Sequence, residues 1–238
     1  MDSKFKLSEV KSREDFDEIT RVIWDAFEHP LNPFLRIMFY LKSDGPEHRT
    51  IAKAACSQGL FEIHSGDASS RWVKINELGT GKMTACANWN LHETNPYELP
   101  EDPPIATWWP EGEGRNFATK FYTQCVSHKP TMYNKPHLYL NISATMPTFQ
   151  RKGVGGMLVE WGLKWADEMG LESFTEATQV GKPLYEHYGF SVIDVITVDK
   201  TSMAIENPSE EWKELERRLL PNIQCVLVKH EDLEVAHN

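Results

Sequence analysis

The spacing of apolar and polar positions changes period several times along the chain, and each change marks an element. Residues 5–10 read as a short strand. Behind it Phe16, Ile19, Ile23, Trp24 and Phe27 recur at helical spacing. Ser12 is placed to cap that helix, with Glu14 and Asp15 in its first turn. Pro30 and Pro33 end it, residues 34–40 begin a second helix, and a third follows the Ser43-Asp44-Gly45-Pro46 break over about 48–60. Residues 71–76 and 82–91 then read as two strands joined through Gly79-Thr80-Gly81, a hairpin signal that leads to a further strand ending at Thr145.

Residues 95–114 interrupt the pattern with proline, glycine and acid, too long a break for an ordinary connection. Ile105, Trp108 and Trp109 stand out there. Large apolar side chains in a polar segment either fold back as an anchor or wall a substrate pocket. A helix over 116–127 leads to the strand at 138–145, which Pro147 stops. From Val154 the apolar positions return at helical spacing (Leu158, Trp161, Leu163, Trp165, Ala166, Met169) until Gly170 closes the helix. The rest alternates: strand 172–178, short helix 182–188 closed by Gly189, strand 190–198, helix 209–219 capped by Ser209, strand 222–228, and a polar tail from Glu231. With no internal repeat or low-complexity run, one α/β domain accounts for the chain.

Composition narrows the function classes. The 238 residues suffice for a substantial core, with 40% hydrophobic and 25% charged residues as in ordinary globular proteins. A formal net charge of −10 argues against a nucleic-acid backbone as main partner, though not against an anion in a local basic pocket. No apolar run approaches the ~20 residues of a membrane helix, and the N-terminus has no secretory pattern. The 4 cysteines show no paired or metal-binding spacing and the histidines are dispersed, so no metal site is expected; a reduced, cytoplasmic setting is.

The chemistry concentrates around residues 138–159, in the order strand, glycine-rich turn, helix. The first N–H groups of a helix lack internal partners and carry partial positive charge. Gly153, Gly155 and Gly156 remove Cβ atoms from the approach to those donors, and Arg151 and Lys152 add charge. Such a turn can hold a phosphate, or can simply let helix and strand pack closely.

Gln150-Arg151-Lys152-Gly153-Val154-Gly155 fits Q/R-x-x-G-x-G/A, which is neither a Walker loop nor the dinucleotide fingerprint. It resembles the pyrophosphate-binding motif of the GNAT superfamily of acyl-CoA N-acyltransferases. Downstream, Pro183-Leu184-Tyr185-Glu186-His187-Tyr188-Gly189-Phe190 is similar to that family's L-Y-x-x-x-G-F segment. The close resemblance covers about 138–198; upstream it is one of layout, nearest to small-molecule members of fungal type. It implies a single GNAT-like α/β domain over 1–238. The central sheet would be mixed, mostly antiparallel and splayed at the motif strand, with helices on both faces. An acceptor-side half would occupy about 1–136, an acetyl-CoA-binding core about 137–200, and a C-terminal helix and strand 201–230.

By the same resemblance, Ala144 and Thr145 would offer backbone groups to the pantetheine arm of acetyl-CoA, with an N–H near Thr145 polarising the thioester. Gln150, Arg151, Lys152, Gly153, Val154, Gly155 and Gly156 would hold the pyrophosphate. Tyr185 matches the family's leaving-group acid, a role suited to a phenol of pKa near ~10 facing a thiolate of ~8–9. The pantetheine-binding Asn of the family falls at Thr178. The Lys that often follows the Tyr is His187 here, and Lys182 could take its place. Glu176 is the candidate general base, with Glu77, Glu93 and His92 behind it. The implied activity is direct transfer of acetyl from acetyl-CoA to a small-molecule amine through a tetrahedral intermediate, without metal, nucleic acid or membrane. A protein or peptide N-acetyltransferase, or a non-catalytic CoA-binding module, are the alternatives. Oligomeric state is not legible in the sequence.

Overall fold

The computed structural model describes residues 4–29, 31–99, 102–220 and 224–230. The strands expected from the alternation are β1 (Phe5–Glu9), β2 (Ser70–Glu77), β3 (Met83–His92), β4 (His137–Thr145), β5 (Glu172–Thr178), β6 (Ser191–Thr197) and β7 (Gln224–His230). They form one seven-stranded sheet in the order β1-β2-β3-β4-β5-β7-β6. Every neighbouring pair is antiparallel except β4 and β5, which run parallel. The sheet is therefore mixed and mostly antiparallel, within a single α/β domain. The polar tail expected from Glu231 lies outside the described residues.

Helix α1 (Asp15–Glu28) buries Phe16, Ile19, Val22, Ile23 and Trp24 as its spacing requires. Burying each such side chain contributes roughly 1.5–3 kcal/mol. It begins later than expected. Glu14 occupies the cap position without a side-chain capping bond, because the Ser12 hydroxyl bonds the Glu14 carboxylate instead. Helices α2 (Pro33–Met38) and α3 (Pro46–Gly66) follow, with Asn32 capping α2 through the Phe34 N–H. A buried ionic cluster ties the three together: Glu28 of α1 accepts from Arg36 of α2, and from Arg49 of α3 at 2.6 Å.

The sheet separates two apolar layers. Helix α6 (Val154–Met169) covers one face, packing Val154, Leu158, Val159 and Leu163 against Val73, Ile75, Ala85, Ala87 and Trp89. The approach is close. A Cβ at Gly162 would fall 2.2 Å from the Trp89 ring, and the indole N–H donates to Leu158 O at 3.3 Å. On the other face α1 and α3 cover β2–β4. Beside them a helical group surrounds Trp109 and Trp212: α2, α4 (Glu113–Val126), the short α8 (Lys200–Met203) and α9 (Glu210–Leu219). Ser209 caps α9, accepting from Trp212 N–H at 3.2 Å.

Two remaining helices flank the parallel pair: α5 (Lys129–Met132), continuing from α4, and α7 (Lys182–His187), following β5. Strand β6 departs from its expected alternation. It is the sheet's edge, and Val192, Ile193 and Val195 are all exposed along it. Among the described residues no helix is long and apolar enough to cross a membrane.

Candidate active site

Strands β4 and β5 pair only at His137–Glu172, Leu138–Ser173 and Tyr139–Phe174. Beyond these they part, although β4 runs on to Thr145 and β5 to Thr178. A β-bulge explains the parting. Asn88 of β3 faces Ile142 while Trp89 faces Leu140, so Asn141 is an extra residue in β4, and a bulge bends its strand. It also switches faces: Leu138 and Leu140 pack under α6, whereas Ile142 and Ala144 pack on the α1 side. Asn141 is exposed in the middle of the central strand. A hydrogen-bonded chain anchors it, through Asn88 (3.1 Å) and Ser70 (2.9 Å) to His64 Nδ1 (3.0 Å).

The gap leaves backbone groups open. Met146 N–H donates to Thr84 O of β3 at 3.0 Å. The Thr145 carbonyl, in the same peptide plane, therefore points the opposite way, toward the gap, where Gln150 Nε2 reaches it at 3.3 Å. Alternation along a strand gives Ser143 the same edge as Thr145 and turns the groups of Ala144 back to β3. The expected pair Ala144 and Thr145 is thus split: the gap-facing pair is Ser143 and Thr145.

Tyr185, on α7, stands in this gap. It is buried, its ring packs on Phe190 at 5.6 Å, and its hydroxyl is hydrogen-bonded to Ser143 and Thr175. Thr175 Oγ1 also donates to Leu140 O at 2.9 Å, replacing a lost ladder bond. Burial pushes the phenol up to about 12, against the pull of the two hydroxyls, so it stays protonated at neutral pH. A protonated phenol between parted strands can give a proton to a leaving group placed there.

The glycine-rich turn adjoins the same end of β4. Arg151 has φ 59° and Gly153 φ 80°, both left-handed, and α6 starts at Val154. A Cβ at Gly153 would meet nothing within 4 Å, so glycine serves the backbone angle there and leaves the approach open. Gly155 has ordinary backbone angles, and a Cβ on it would lie 3.3 Å from Leu184 and 3.6 Å from Thr145 Oγ1. Gly156 leaves room for the Tyr188 hydroxyl, which a Cβ would approach to 2.2 Å. The phosphate and packing readings of the glycines therefore both hold, at different residues. Met157 N–H bonds Gly153 O at 3.2 Å, while the N–H groups of residues 151–156 have no acceptor among the described residues. Backbone donors at a helix N-terminus, with the two exposed cationic side chains of Arg151 and Lys152 beside them, can hold a pyrophosphate.

Other expected contacts are spoken for within the protein. Thr178 Oγ1 accepts from Gly181 N–H at 3.0 Å, closing the turn into α7. Lys182 pairs with Glu186 at 3.1 Å on its own helix, and His187 is exposed against Tyr188.

Glu176 projects from β5 to the face opposite Tyr185. His128 Nε2 lies 2.9 Å from its Oε1, the Tyr133 hydroxyl donates to the same oxygen at 3.0 Å, and the Tyr139 hydroxyl donates to Oε2. Lys129 Nζ donates to the Tyr139 hydroxyl at 2.8 Å and stands 4.0 Å from the carboxylate. Burial alone would raise the carboxyl; the Lys129 charge and the bonds from His128 and Tyr139 outweigh it and hold the group at about 2. A carboxylate so stabilised is a poor direct base, a correction to the role expected for Glu176. The weaker candidates are not drawn in. Glu77 is on β2, two strands from the gap and paired with Lys4 at 3.1 Å. Glu93 is exposed. His92, lowered to about 4 by burial and by the adjacent His137, sits opposite the first residue of β4, at the far end from the opening.

The tryptophans of the long loop anchor it. Both indole N–H groups donate to Ile37 O, Trp108 at 2.8 Å and Trp109 at 2.9 Å. Trp109 is buried, which settles it as packing; Trp108 is 36% exposed and meets the Tyr122 ring edge-on at 5.4 Å. Ser143, Thr175, His128, Tyr133 and Tyr139 were missed in the sequence. Only the alternation of β4 and β5 hinted at the first two, and nothing local marks the rest. Among the described residues no cluster of His, Cys, Asp or Glu could hold a metal ion.

Residues 83–190, which run from β3 through the Tyr185 segment, match the family model "Acetyltransferase (GNAT) family". No curated protein matches the chain by sequence. Solved structures share the fold at low identity. One titled histone acetyltransferase HPA2 and related acetyltransferase, from Corynebacterium glutamicum, has a TM-score of 0.58 at 14% identity, covering 96% of this chain and 97% of its own. Arylalkylamine N-acetyltransferase 2 from Aedes aegypti has 0.57 at 12%, covering 96% and 99%. An agmatine N-acetyltransferase has 0.56 at 11%, covering 95% and 98%. The parted strands, the glycine-rich turn and the Tyr185 segment all lie within residues 83–190, the stretch that matches the GNAT acetyltransferase family model.

Proposed function

We propose that this protein is an N-acetyltransferase that moves the acetyl group of acetyl-CoA directly to an amine of a small molecule. The observation that carries this reading is the Tyr185 phenol, buried and protonated between β4 and β5 where they part. The amides of residues 151–156, with Arg151 and Lys152, would bind the pyrophosphate, and the gap-facing groups of Ser143 and Thr145 would receive the pantetheine arm. The co-substrate supplies an activated acyl carbon. The protein's own part is to orient that carbonyl against an N–H at the Thr145 edge, exclude water under α6 and α7, and supply a proton from Tyr185 to the departing sulfur. A small amine as acceptor is supported by the arylalkylamine and agmatine N-acetyltransferases among the structures of similar fold. The buried thiols of Cys56 and Cys86, which form no disulfide, support a reducing, cytoplasmic setting.

The test combines binding and turnover. Acetyl-CoA at a hundred times its dissociation constant should stabilise the protein by about 2.7 kcal/mol, read as a rise in melting temperature. Free thiol should then appear on adding primary amines and not on adding a lysine-bearing peptide. Absence of any thermal shift with millimolar acetyl-CoA removes the co-substrate, and turnover of the peptide alone moves the acceptor to proteins.

A further inference from the structure

We propose that His128 is the base that takes the acceptor's proton and that Glu176 is the positioning residue that fixes its tautomer; this rests on the acetyl-transfer reading above. The geometry begins with Glu176, whose two oxygens accept from His128, Tyr133 and Tyr139. An ionised carboxylate can only accept, so Nε2 of His128 carries the hydrogen in that bond. Neutral imidazole then has its lone pair on Nδ1. That atom is buried and has no hydrogen-bond partner among the described residues. A buried acceptor without a partner is costly to keep, and one pinned in a single tautomer is ready to take a proton.

Position supports the role. Glu176 follows Thr175, whose hydroxyl is bonded to Tyr185, and successive strand residues project to opposite faces. Tyr185 and Glu176 therefore stand on opposite sides of one gap, with His128 bonded to the Glu176 carboxylate. Tyr139, the last residue of β4 paired with β5, helps hold the base side. The charged and titratable groups of the cluster that holds His128 and Glu176 come from four elements. These are Lys129 and Tyr133 at α5, Glu176 on β5, Tyr139 and His137 on β4, and Tyr122 and Cys125 on α4.

The step balances as follows. The acceptor's ammonium gives one proton to Nδ1, and the freed nitrogen pair forms the C–N bond at the thioester carbonyl carbon. The C–S bond breaks with its pair going to sulfur, which takes the phenol proton of Tyr185. The second proton lost by nitrogen restores the phenol through water, and His128 releases the first to solvent. Amide, free thiol and one proton result.

His128→Gln keeps an N–H for Glu176 but removes the basic lone pair. It should lower kcat by about 10²–10³-fold and leave the acetyl-CoA dissociation constant within about twofold. Glu176→Gln, whose amide can donate to Nε2 and so drive the hydrogen to Nδ1, should lower kcat comparably. Nitrogen-15 NMR should show neutral His128 as the Nε2–H tautomer in the wild type. Wild-type turnover with His128→Gln within about twofold of it, or an Nδ1–H tautomer in the wild type, overturns the assignment; if His128→Gln does not fold, the NMR result decides. Wild-type protein that neither binds acetyl-CoA nor releases thiol with phenethylamine, agmatine or kanamycin overturns the transfer reading, and the base with it.

Discussion

The two faces of the sheet meet at one gap and treat their buried ionisable groups in opposite ways. On the α7 side, the Tyr185 hydroxyl has only the hydroxyls of Ser143 and Thr175 for company, and burial wins: the phenol rises to about 12 and keeps its proton. On the opposite side, Glu176 faces the same penalty, but a lysine and three donors reverse it and the carboxyl falls to about 2. Depth alone predicts neither outcome. The number and charge of the donors that the fold delivers to each group decides which holds a proton and which refuses one. The first environment is built by neighbouring strands and the helix that follows them. The second needs residues 128–133, carried in by the α4–α5 connection.

The sharpest way to break this contrast is to damage one face and watch the other. Trp109→Ala empties a buried site in the helical group on the Glu176 side and should cost about 3–5 kcal/mol in chemical denaturation. The KM for acetyl-CoA should barely change in the folded variant; a large rise would show that the faces are not independent. Tyr185→Phe acts on the α7 side alone. It keeps the ring on Phe190 and should lower kcat about 10²-fold, equivalent to about 2.7 kcal/mol, with both KM values nearly constant. Activity within about twofold of wild type, with chemistry limiting, takes the phenol out of the mechanism.

Acid unfolding reads the Glu176 side. Its pKa is depressed, from 4.5 to about 2, so its contribution is fully present above the unfolded value and is lost as pH falls through that interval. Stability should drop on the order of 2 kcal/mol across the interval in the wild type, and Glu176→Gln should flatten this part of the curve. A wild-type curve already flat there would mean that the cluster does not hold the carboxylate ionised. The smallest effect is expected at Gly153, where an added methyl meets no atom and only the left-handed angle resists. Gly153→Ala should cost about 1 kcal/mol and raise the acetyl-CoA KM without lowering kcat.

The same contrast governs what could be read from the chain. Tyr185 and the turn at 150–156 declare themselves by spacing, since a helix N-terminus and a short helix are local objects. Strands β1 to β5 follow from alternation with bounds off by a residue or two. Ser12 misled because its hydroxyl has a nearer partner in Glu14. The short α8 escaped notice because Asp199 caps only a four-residue turn. Glu176 was found as a residue but not as an environment: His128 and Tyr133 are 48 and 43 positions away, and no periodicity encodes that meeting. Ser143 was missed through a parity that the alternation of β4 does not reveal before its pairing with β3 is known.

That parity has a consequence for how the protein tolerates change. Asn141 acts as a phase shift in the count of β4: before it one set of positions faces α6, after it the other set does. Exchanging its side chain disturbs one link to Asn88. Deleting it would join Leu140 to Ile142 in regular alternation, keeping Ser143 and Thr145 on the α6 side but removing the bend that keeps β5 away. The residue therefore matters more for the bend that its extra place puts into the strand than for its amide, and loss of one codon there should close the gap that replacement of it leaves open.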